Sequence, residues 1–357
     1  MMQCVRYNDF FSSNIPMERY GYGDAQRARD LIHKGIEQAG WDPEKVEEGL
    51  ILGTGMGNFS AKHLHPTRRV VMPFEYIFNT IGCVTEESNT VEGHKKEVII
   101  APLAGEDPER SPLLFVQNGR EHLYQGVDPK RATFWIRVMQ LMGVHVLGTS
   151  SAVGVITPET VRVPQIVLVH SENDDIGDSP LIGPNEEEFG PRFQDLNDMY
   201  PEATRRAIRK VAKEQGIDLV EGLYIRTATS PSFERPEDVY RMRRVVKDIW
   251  EEGRLQPGED RFDGEPTAVV GMTVPPESVV VHHARRSQKY PAFQDGYFVL
   301  AAATDYAGAV NTNGFVSVPT HEEVQERAHV LQEDFGNLVK GTLQHLRTEQ
   351  FARAKVA

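Results

Sequence analysis

The segment QNGREHLYQG, residues 117–126, places Arg120, His122 and Tyr124 at alternating positions directly after the apolar run LLFV. If the strand continues through it, alternate side chains project from one face, so the pattern predicts that these three groups lie together. Arginine offers a planar fork of donors suited to an oxyanion, and histidine adds a donor whose charge follows its surroundings. The segment therefore indicates an anion site beside a sugar, although an exposed edge strand has the same pattern.

A second stretch upstream has the form of a phosphate-binding loop. LILGTGMG, residues 50–57, predicts a short buried strand that enters a glycine loop containing Thr54. Glycines let backbone N–H groups approach an oxygen closely, and the threonine can add a hydroxyl, unless it is an ordinary turn residue. The spacing G-x-G-x-G differs from the G-x-G-x-x-G of dinucleotide-binding folds, which disfavours a nicotinamide cofactor.

Composition limits the class of protein. The chain has 357 residues, 39% hydrophobic and 25% charged, which is typical of a globular protein with a large core. A net charge of −13 argues against a nucleic-acid surface. No apolar run approaches the ~20 residues of a membrane span, and the first residues lack a signal-peptide core. Cys4 and Cys83 are too few for a disulfide framework, so we expect a cytoplasmic protein.

The order of the predicted elements indicates an α/β fold with a mixed, largely parallel central sheet flanked by helices. Helices are predicted at 25–40, 129–142, 202–216 and 236–251, from 276 and from 320, with apolar strands between them. The length suggests two domains, but no linker is visible, so we expect one domain over residues 1–357. An insertion at 253–265 precedes a strand whose far end carries Met272, and we expect it at the pole opposite the site.

Seven blocks, in the same order over nearly the whole chain, resemble the trimeric purine nucleoside phosphorylases and their methylthioadenosine-cleaving relatives. They are LGTGMG (52–57), TVEGH (90–94), NGREHLYQG (118–126), GPNEEEFGPRF (183–193), SPSFERPED (230–238), VVGMTVPPE (269–277) and THEEV (320–324). The resemblance implies a pentosyltransferase that uses inorganic phosphate as co-substrate and needs no other cofactor. Phosphate would attack C1′ of a purine nucleoside, giving the free base and ribose 1-phosphate, as a step of purine salvage.

The resemblance also implies roles for individual residues. Phosphate would be held by Thr54, His94, Arg120, His122, Ser151 and Thr273, through charge-assisted and backbone hydrogen bonds. The base and ribose would contact Tyr124, Phe233, Val270 and Met272, whose alternative is simple core packing. Phe189 would reach into a neighbouring subunit's site, which implies a homotrimer.

The predicted base pocket combines two carboxyl groups that resemble those of two different classes of relative. Asp305 occupies a place that is asparagine in enzymes selective for 6-oxopurines and aspartate in the methylthioadenosine enzymes. Glu234 matches the glutamate that accepts N1–H of a 6-oxopurine. With either class of base one carboxyl works best protonated, so we predict a raised pKa for one of the two. For Asp305 the alternative is a strand-end residue that caps a turn.

His321 resembles the histidine that binds the ribose 5′-hydroxyl, where methylthio-selective relatives have an apolar residue. We therefore expect ordinary nucleosides, with a surface histidine that opens a helix as the alternative. The segment TSSAVG, residues 149–154, departs from the family's T-N-A-A-G-G. It motivates a second possibility, a nucleoside-binding homologue without turnover.

Other classes of site are disfavoured by the same residues. A hydrolytic nucleosidase would leave Arg120 and His122 without a function. The pairs His63/His65 and His282/His283 lack further ligands at metal-binding spacing, so no metal is expected.

Overall fold

A computed structural model of the chain describes residues 19–83, 95–174, 176–227, 231–256, 260–311, 313–315 and 320–354. The described strands are β1 (Val46–Leu52), β2 (Val70–Pro73), β3 (Glu97–Ala101), β4 (Leu113–Asn118), β5 (Val146–Val155), β6 (Gln165–Asp174), β7 (Leu219–Arg226), β8 (Ala268–Gly271), β9 (Gly296–Tyr306), β10 (Val310–Asn311) and β11 (Gly314–Phe315). The described helices are α1 (Tyr22–Gln38), α2 (Phe59–Lys62), α3 (Phe74–Thr80), α4 (Pro129–Ala132), α5 (Phe134–Leu141), α6 (Glu202–Gln215), α7 (Pro236–Arg254), α8 (Val274–Arg285), α9 (His321–Val330) and α10 (Gln332–Ala354).

Strands β1 to β9 form one mixed sheet in the order β2-β3-β4-β1-β5-β8-β7-β6-β9. Strand β9 also pairs with β5, so five strands close into a ring from which β1 to β4 extend. The ladders β1–β4, β1–β5, β5–β9, β6–β7 and β7–β8 are parallel, and the other four are antiparallel. The predicted mixed α/β sheet is confirmed.

Helices cover both faces of the sheet because its strands are apolar on both sides. In β1, Ile51 packs in a cluster with residues of α1 and α5, whereas its neighbour Leu50 packs in a cluster with residues of α6 and α10. Successive strand side chains point to opposite faces, so adjacent apolar residues need a cover on each side. The result is a three-layer arrangement with two main cores.

Three predicted elements differ from the structure. The helix expected over 129–142 is interrupted at Thr133, and the one expected from 320 is interrupted at Leu331. The strand expected to continue through 117–126 ends at Asn118, where Gly119 adopts a φ of 105°. A glycine in the left-handed region turns the chain out of the sheet, so the alternation of Arg120, His122 and Tyr124 does not correspond to a strand.

The described part of the insertion 253–265 packs on α7 and β6. The ring of Phe262 lies 5.1 Å from that of Trp250 and 5.7 Å from that of His170, measured between centroids. Across the ranges given above, no helix combines the length and apolar character that crossing a membrane requires.

Candidate active site

The glycine loop after β1 is held against the neighbouring strand β5 by a serine. The Gly53 N–H donates to Ser150 Oγ at 2.8 Å, and the Ser150 hydroxyl in turn donates to the Ile51 carbonyl at 3.3 Å. Gly55 has a φ of 79°, and a Cβ built there would lie 2.2 Å from Ala328 Cβ of α9. This position therefore requires glycine for both its backbone conformation and its packing.

Arg120 lies directly beneath this loop. A Cβ at Gly53 would stand 2.4 Å from Arg120 Nη1, so only glycine leaves room for the guanidinium. On its other side, Arg120 Nε and Nη2 donate to the two carboxylate oxygens of Glu277 at 2.6 and 3.0 Å. Arg120 is 1% exposed, so the carboxylate compensates a buried charge and fixes the plane of the fork.

His122 and Tyr124 follow Gly119 in a single turn of 3-10 helix rather than in a strand. The turn spans Leu123–Gln125, with His122 at its N-cap and the left-handed Gly126 at its end. The imidazole and phenol rings stack with centroids 4.7 Å apart and an angle of 15°. Burial raises the pKa of Tyr124 to about 12, so its phenol stays a neutral donor at physiological pH.

The N-terminus of α8 supplies backbone donors to the same place. Thr273 is its N-cap, and Pro275 and Pro276, in its first turn, have no N–H to donate. A helix N-terminus leaves backbone N–H groups without intrahelical partners and so favours an anion, and at α8 it is the N-cap Thr273 that lines the cavity. Ser151, 5% exposed on β5, adds a hydroxyl to this cluster.

A bulge in β9 aims Asp305 at the other half of the site. In the parallel ladder of β5 and β9, Val153 pairs with Ala303 but Gly154 pairs with Asp305, so Thr304 is an extra residue. Such a bulge redirects the side chain that follows it. Asp305 Oδ2 lies 3.2 Å from the position a Cβ would take at Gly154, so its carboxyl packs closely against Gly154 in the cavity wall.

The two carboxyl groups of the base pocket, Asp305 and Glu234, lie in the same buried environment. Burial raises the pKa of Asp305 to about 6; the Thr304 hydroxyl and the charge of Arg327 oppose this shift, and Glu234 adds to it. Burial also raises the pKa of Glu234, whose Oε1 accepts a hydrogen bond from the Thr227 hydroxyl at 3.0 Å. The prediction of a raised carboxyl pKa in this pocket is supported for both groups.

One cavity of about 400 Å³ brings these groups together. Twelve of the fourteen site residues predicted from sequence line it: Thr54, Arg120, His122, Tyr124, Ser151, Phe233, Glu234, Val270, Met272, Thr273, Asp305 and His321. Within the described ranges, no group of three or more His, Cys, Asp or Glu side chains is arranged to hold a metal ion.

The other two predicted residues are His94 and Phe189. His94 lies outside the described residues. Phe189 is 2% exposed and packs in the core of its own chain, with the Arg137 guanidinium 4.5 Å above its ring and the Tyr22 ring at 5.7 Å. In this conformation its ring cannot reach another subunit without leaving that packing, so its predicted role there stays a prediction.

Sequence reasoning missed the residues that position the site rather than line its centre. Glu277, Ser150 and Thr227 act on Arg120, Gly53 and Glu234 respectively. Glu277 falls inside a recognised block and Ser150 inside the segment 149–154 that departs from the family pattern, but a hydrogen bond between distant segments has no pattern in one sequence. Val153 lines the cavity at a position where the related motif has glycine.

Known proteins are similar in sequence to this chain. The model of the phosphorylase superfamily matches residues 85–344. The chain belongs to the phosphorylase superfamily. Purine nucleoside phosphorylase 1 of Bacillus subtilis (strain 168) is 29% identical over 299 residues, which cover 84% of this chain and 92% of that protein. Purine nucleoside phosphorylase of Rattus norvegicus is 28% identical over 269 residues, covering 74% and 78%.

Solved structures of this superfamily share the fold. Schistosoma mansoni purine nucleoside phosphorylase in complex with inosine superposes with a TM-score of 0.69 at 22% identity, over 91% of this chain and 96% of that one. Isoform 2 from the same organism, in complex with cytosine and ribose-1-phosphate, gives 0.69 at 23% identity, over 90% and 96%. The resemblance inferred from the sequence blocks is confirmed.

Proposed function

We propose that this member of the phosphorylase superfamily is a purine nucleoside phosphorylase. One observation carries the proposal: a single cavity joins a cluster of oxyanion donors to an apolar pocket that contains two carboxyl groups. Inorganic phosphate is the co-substrate, and the chemistry requires no further cofactor. The two cysteines of the chain support a reducing, cytoplasmic setting.

In this proposal the phosphate is bound between the glycine loop, Arg120, His122 and the N-terminus of α8. Its oxygen forms a bond to C1′ as the bond between C1′ and the purine nitrogen breaks, and the bonding electrons pass to the purine. The sugar passes through an oxocarbenium-like state that the phosphate dianion stabilises. Holding phosphate and nucleoside in one cavity supplies the orientation that the reaction needs.

The departing purine gathers negative charge, and Asp305 is placed to stabilise it. When protonated, its carboxyl donates a hydrogen bond to the base, either near N7 or to the 6-oxo group. Glu234, when ionised, accepts N1–H of a 6-oxopurine. For adenine the roles reverse, because N1 has no hydrogen and the 6-amino group is a donor. The pair therefore accommodates both classes of purine, depending on which carboxyl is protonated.

An S-methyl-5′-thioadenosine phosphorylase is the second candidate. The aspartate at position 305 favours it, because the methylthioadenosine enzymes have aspartate at the corresponding place. His321 argues for ordinary nucleosides, since it lies at the cavity and carries a polar ring where a methylthio group would need an apolar wall. Its ring is linked to Gln325 on the next turn of α9, with 2.9 Å between His321 Nε2 and Gln325 Nε2.

The proposal includes a homotrimer. Ile182, Phe193 and Leu196 belong to the long segment after β6 and are 62%, 88% and 45% exposed. Large apolar side chains exposed together favour contact with another protein surface, here a second copy of this chain. Phe193 is four residues from Phe189 and fully available to a neighbouring subunit, whereas Phe189 is not.

The deciding experiment incubates the protein with phosphate and, separately, inosine, guanosine, adenosine or methylthioadenosine, and measures base release. We expect release from the first three that depends on phosphate. Release without phosphate would establish a hydrolase instead. Nucleoside-induced thermal stabilisation without any base release would establish a binding protein, and cleavage of methylthioadenosine alone would establish the second candidate.

A further inference from the structure

The hydroxyl of Tyr224, on β7, lies directly under the floor of the cavity. The residue is 0% exposed, and a Cβ built on Gly271 would stand 2.1 Å from its oxygen. Gly271 itself lines the cavity. The phenol oxygen is therefore separated from the cavity by one layer of backbone, which only glycine at position 271 permits.

This hydroxyl makes no hydrogen bond of normal geometry with the described residues. Its surroundings are nevertheless those of an anion site. Burial raises the pKa of Tyr224. The Ser151 hydroxyl and the backbone of Thr273 and Val274, which approach the phenol oxygen as hydrogen-bonding neighbours outside normal geometry, act in the opposite direction, as does the charge of Arg120. A buried hydroxyl without a partner costs free energy that a phenylalanine would not, so its presence calls for a partner in another state of the protein.

Ser151 is the neighbour that can provide this partner. Its hydroxyl donates to the carbonyl of the adjacent residue, Ala152, across a long 3.2 Å. A bound anion offers a stronger acceptor than this carbonyl. When the Ser151 hydroxyl turns to the anion, the reoriented oxygen can direct one of its two lone pairs to the Tyr224 O–H.

We propose that Tyr224 is a positioning residue of the anion subsite, which donates to Ser151 Oγ and so directs the Ser151 hydroxyl to an oxygen of the bound phosphate. The inference rests on the proposed function, with phosphate as the anion. Hydrogen bonds in such a chain polarise one another, so each strengthens the next. Tyr224 does not touch the substrate in this arrangement and acts only through Ser151.

Tyr224→Phe tests this role, because it keeps the ring and removes only the hydroxyl. We expect the KM for phosphate to rise about five- to tenfold, with the KM for the nucleoside unchanged. Calorimetry with inorganic phosphate alone, in the absence of nucleoside, should show the same weakening of the dissociation constant. Without phosphate, the melting temperature of Tyr224→Phe should equal or exceed that of the wild type, since an unpaired buried hydroxyl is removed.

The double variant Ser151→Ala/Tyr224→Phe separates positioning from a structural effect. If Tyr224 acts through Ser151, the double variant binds phosphate as weakly as Ser151→Ala alone. Three results would overturn the inference. They are additive losses of phosphate affinity in the double variant, an unchanged dissociation constant for phosphate in Tyr224→Phe, and a nucleoside KM that rises as much as the phosphate KM. Tyr290→Phe is the matched control: its hydroxyl lies 2.7 Å from that of Tyr22, away from the cavity, and its loss should change neither constant.

The two proposals fail in different ways. Wild-type protein that binds phosphate but releases no base refutes the proposed function, while the calorimetric comparison still decides the role of Tyr224. Wild-type protein that releases base with unaltered kinetics in Tyr224→Phe refutes only the inference. Wild-type protein that does not bind phosphate at all refutes both.

Discussion

Arg120 Nε and Nη2 are both held by the carboxylate of Glu277, at 2.6 and 3.0 Å, and neither side chain is more than 5% exposed. The guanidinium has one further nitrogen, Nη1, and this atom lies against Gly53 of the glycine loop. The ion pair thus joins three segments that are far apart in sequence. It fixes the orientation of the guanidinium at the phosphate site that we propose.

The first prediction concerns this pair. Glu277→Gln keeps the shape of the side chain but removes the charge that orients Arg120, so we expect the KM for phosphate to rise and kcat to fall, each by about tenfold. Steady-state kinetics at varied phosphate measures this. Glu48→Gln is the matched control, because Glu48 is also buried and paired with an arginine, Arg347, at 2.6 Å, but Arg347 does not line the cavity, whereas Arg120 does. An equal rise of the phosphate KM in both variants would contradict the assignment.

The second prediction is that purine preference depends on pH. Asp305 has a pKa of about 6, so it is protonated below this pH and ionised above it. The protonated acid donates to a 6-oxo group and the ionised one accepts from a 6-amino group. We expect the ratio of kcat/KM for inosine to that for adenosine to fall as the pH rises through about 6. In Asp305→Asn this ratio should be higher and independent of pH in that range; a ratio that titrates equally in both proteins would contradict the role of Asp305.

The third prediction links the same group to stability. The folded pKa is raised above the ordinary value of 3.8, so the charged form is disfavoured in the fold and Asp305 costs stability as the pH rises. The free energy of unfolding of Asp305→Asn relative to wild type should therefore increase by about 1 kcal/mol from pH 5 to pH 8. Urea unfolding of both proteins at the two pH values measures this. A constant difference would show that the carboxyl is already ionised at pH 5.

The fourth prediction concerns the 5′ end of the ribose. His321→Leu removes a donor that would face a 5′-hydroxyl and provides an apolar wall for a methylthio group. We expect kcat/KM for inosine to fall by about tenfold, equivalent to about 1.4 kcal/mol, and relative activity on methylthioadenosine to increase. His329→Leu, near the other end of α9, is a control that should leave both substrates unaffected. Equal losses on both nucleosides would place His321 outside the 5′ pocket.

The fifth prediction concerns the assembly. Phe193→Ser removes the most exposed large apolar side chain of the segment after β6, and we expect it to shift the trimer towards smaller species in sedimentation velocity. Tyr240→Ser, at a site 58% exposed on α7, should leave the assembly unchanged. A wild-type protein that sediments as a monomer would contradict the proposed trimer.

The sequence was sufficient to name most residues of the predicted site, because the segments that contain them can be recognised locally in the chain. A glycine loop after a buried strand, proline residues at the start of a helix and an Arg-x-His-x-Tyr segment each identify themselves by residue type and spacing. Apolar strands alternating with amphipathic helices likewise indicated the α/β class. Of the twelve predicted residues that line the cavity, Thr54, Arg120, His122 and Tyr124 were named from residue type and spacing, and the other eight from the resemblance to the nucleoside phosphorylases.

What the sequence did not determine is how these groups are held, since that depends on contacts between distant segments. The turn at Gly119 replaced the expected strand, and a bulge at Thr304 aimed Asp305. Glu277 lies 157 residues from Arg120 along the chain, and its carboxylate meets the guanidinium only because α8 begins where the turn after β4 arrives. Residue types follow from local chemistry, whereas orientation, burial and the raised carboxyl pKa values arise from packing that only the folded chain brings about.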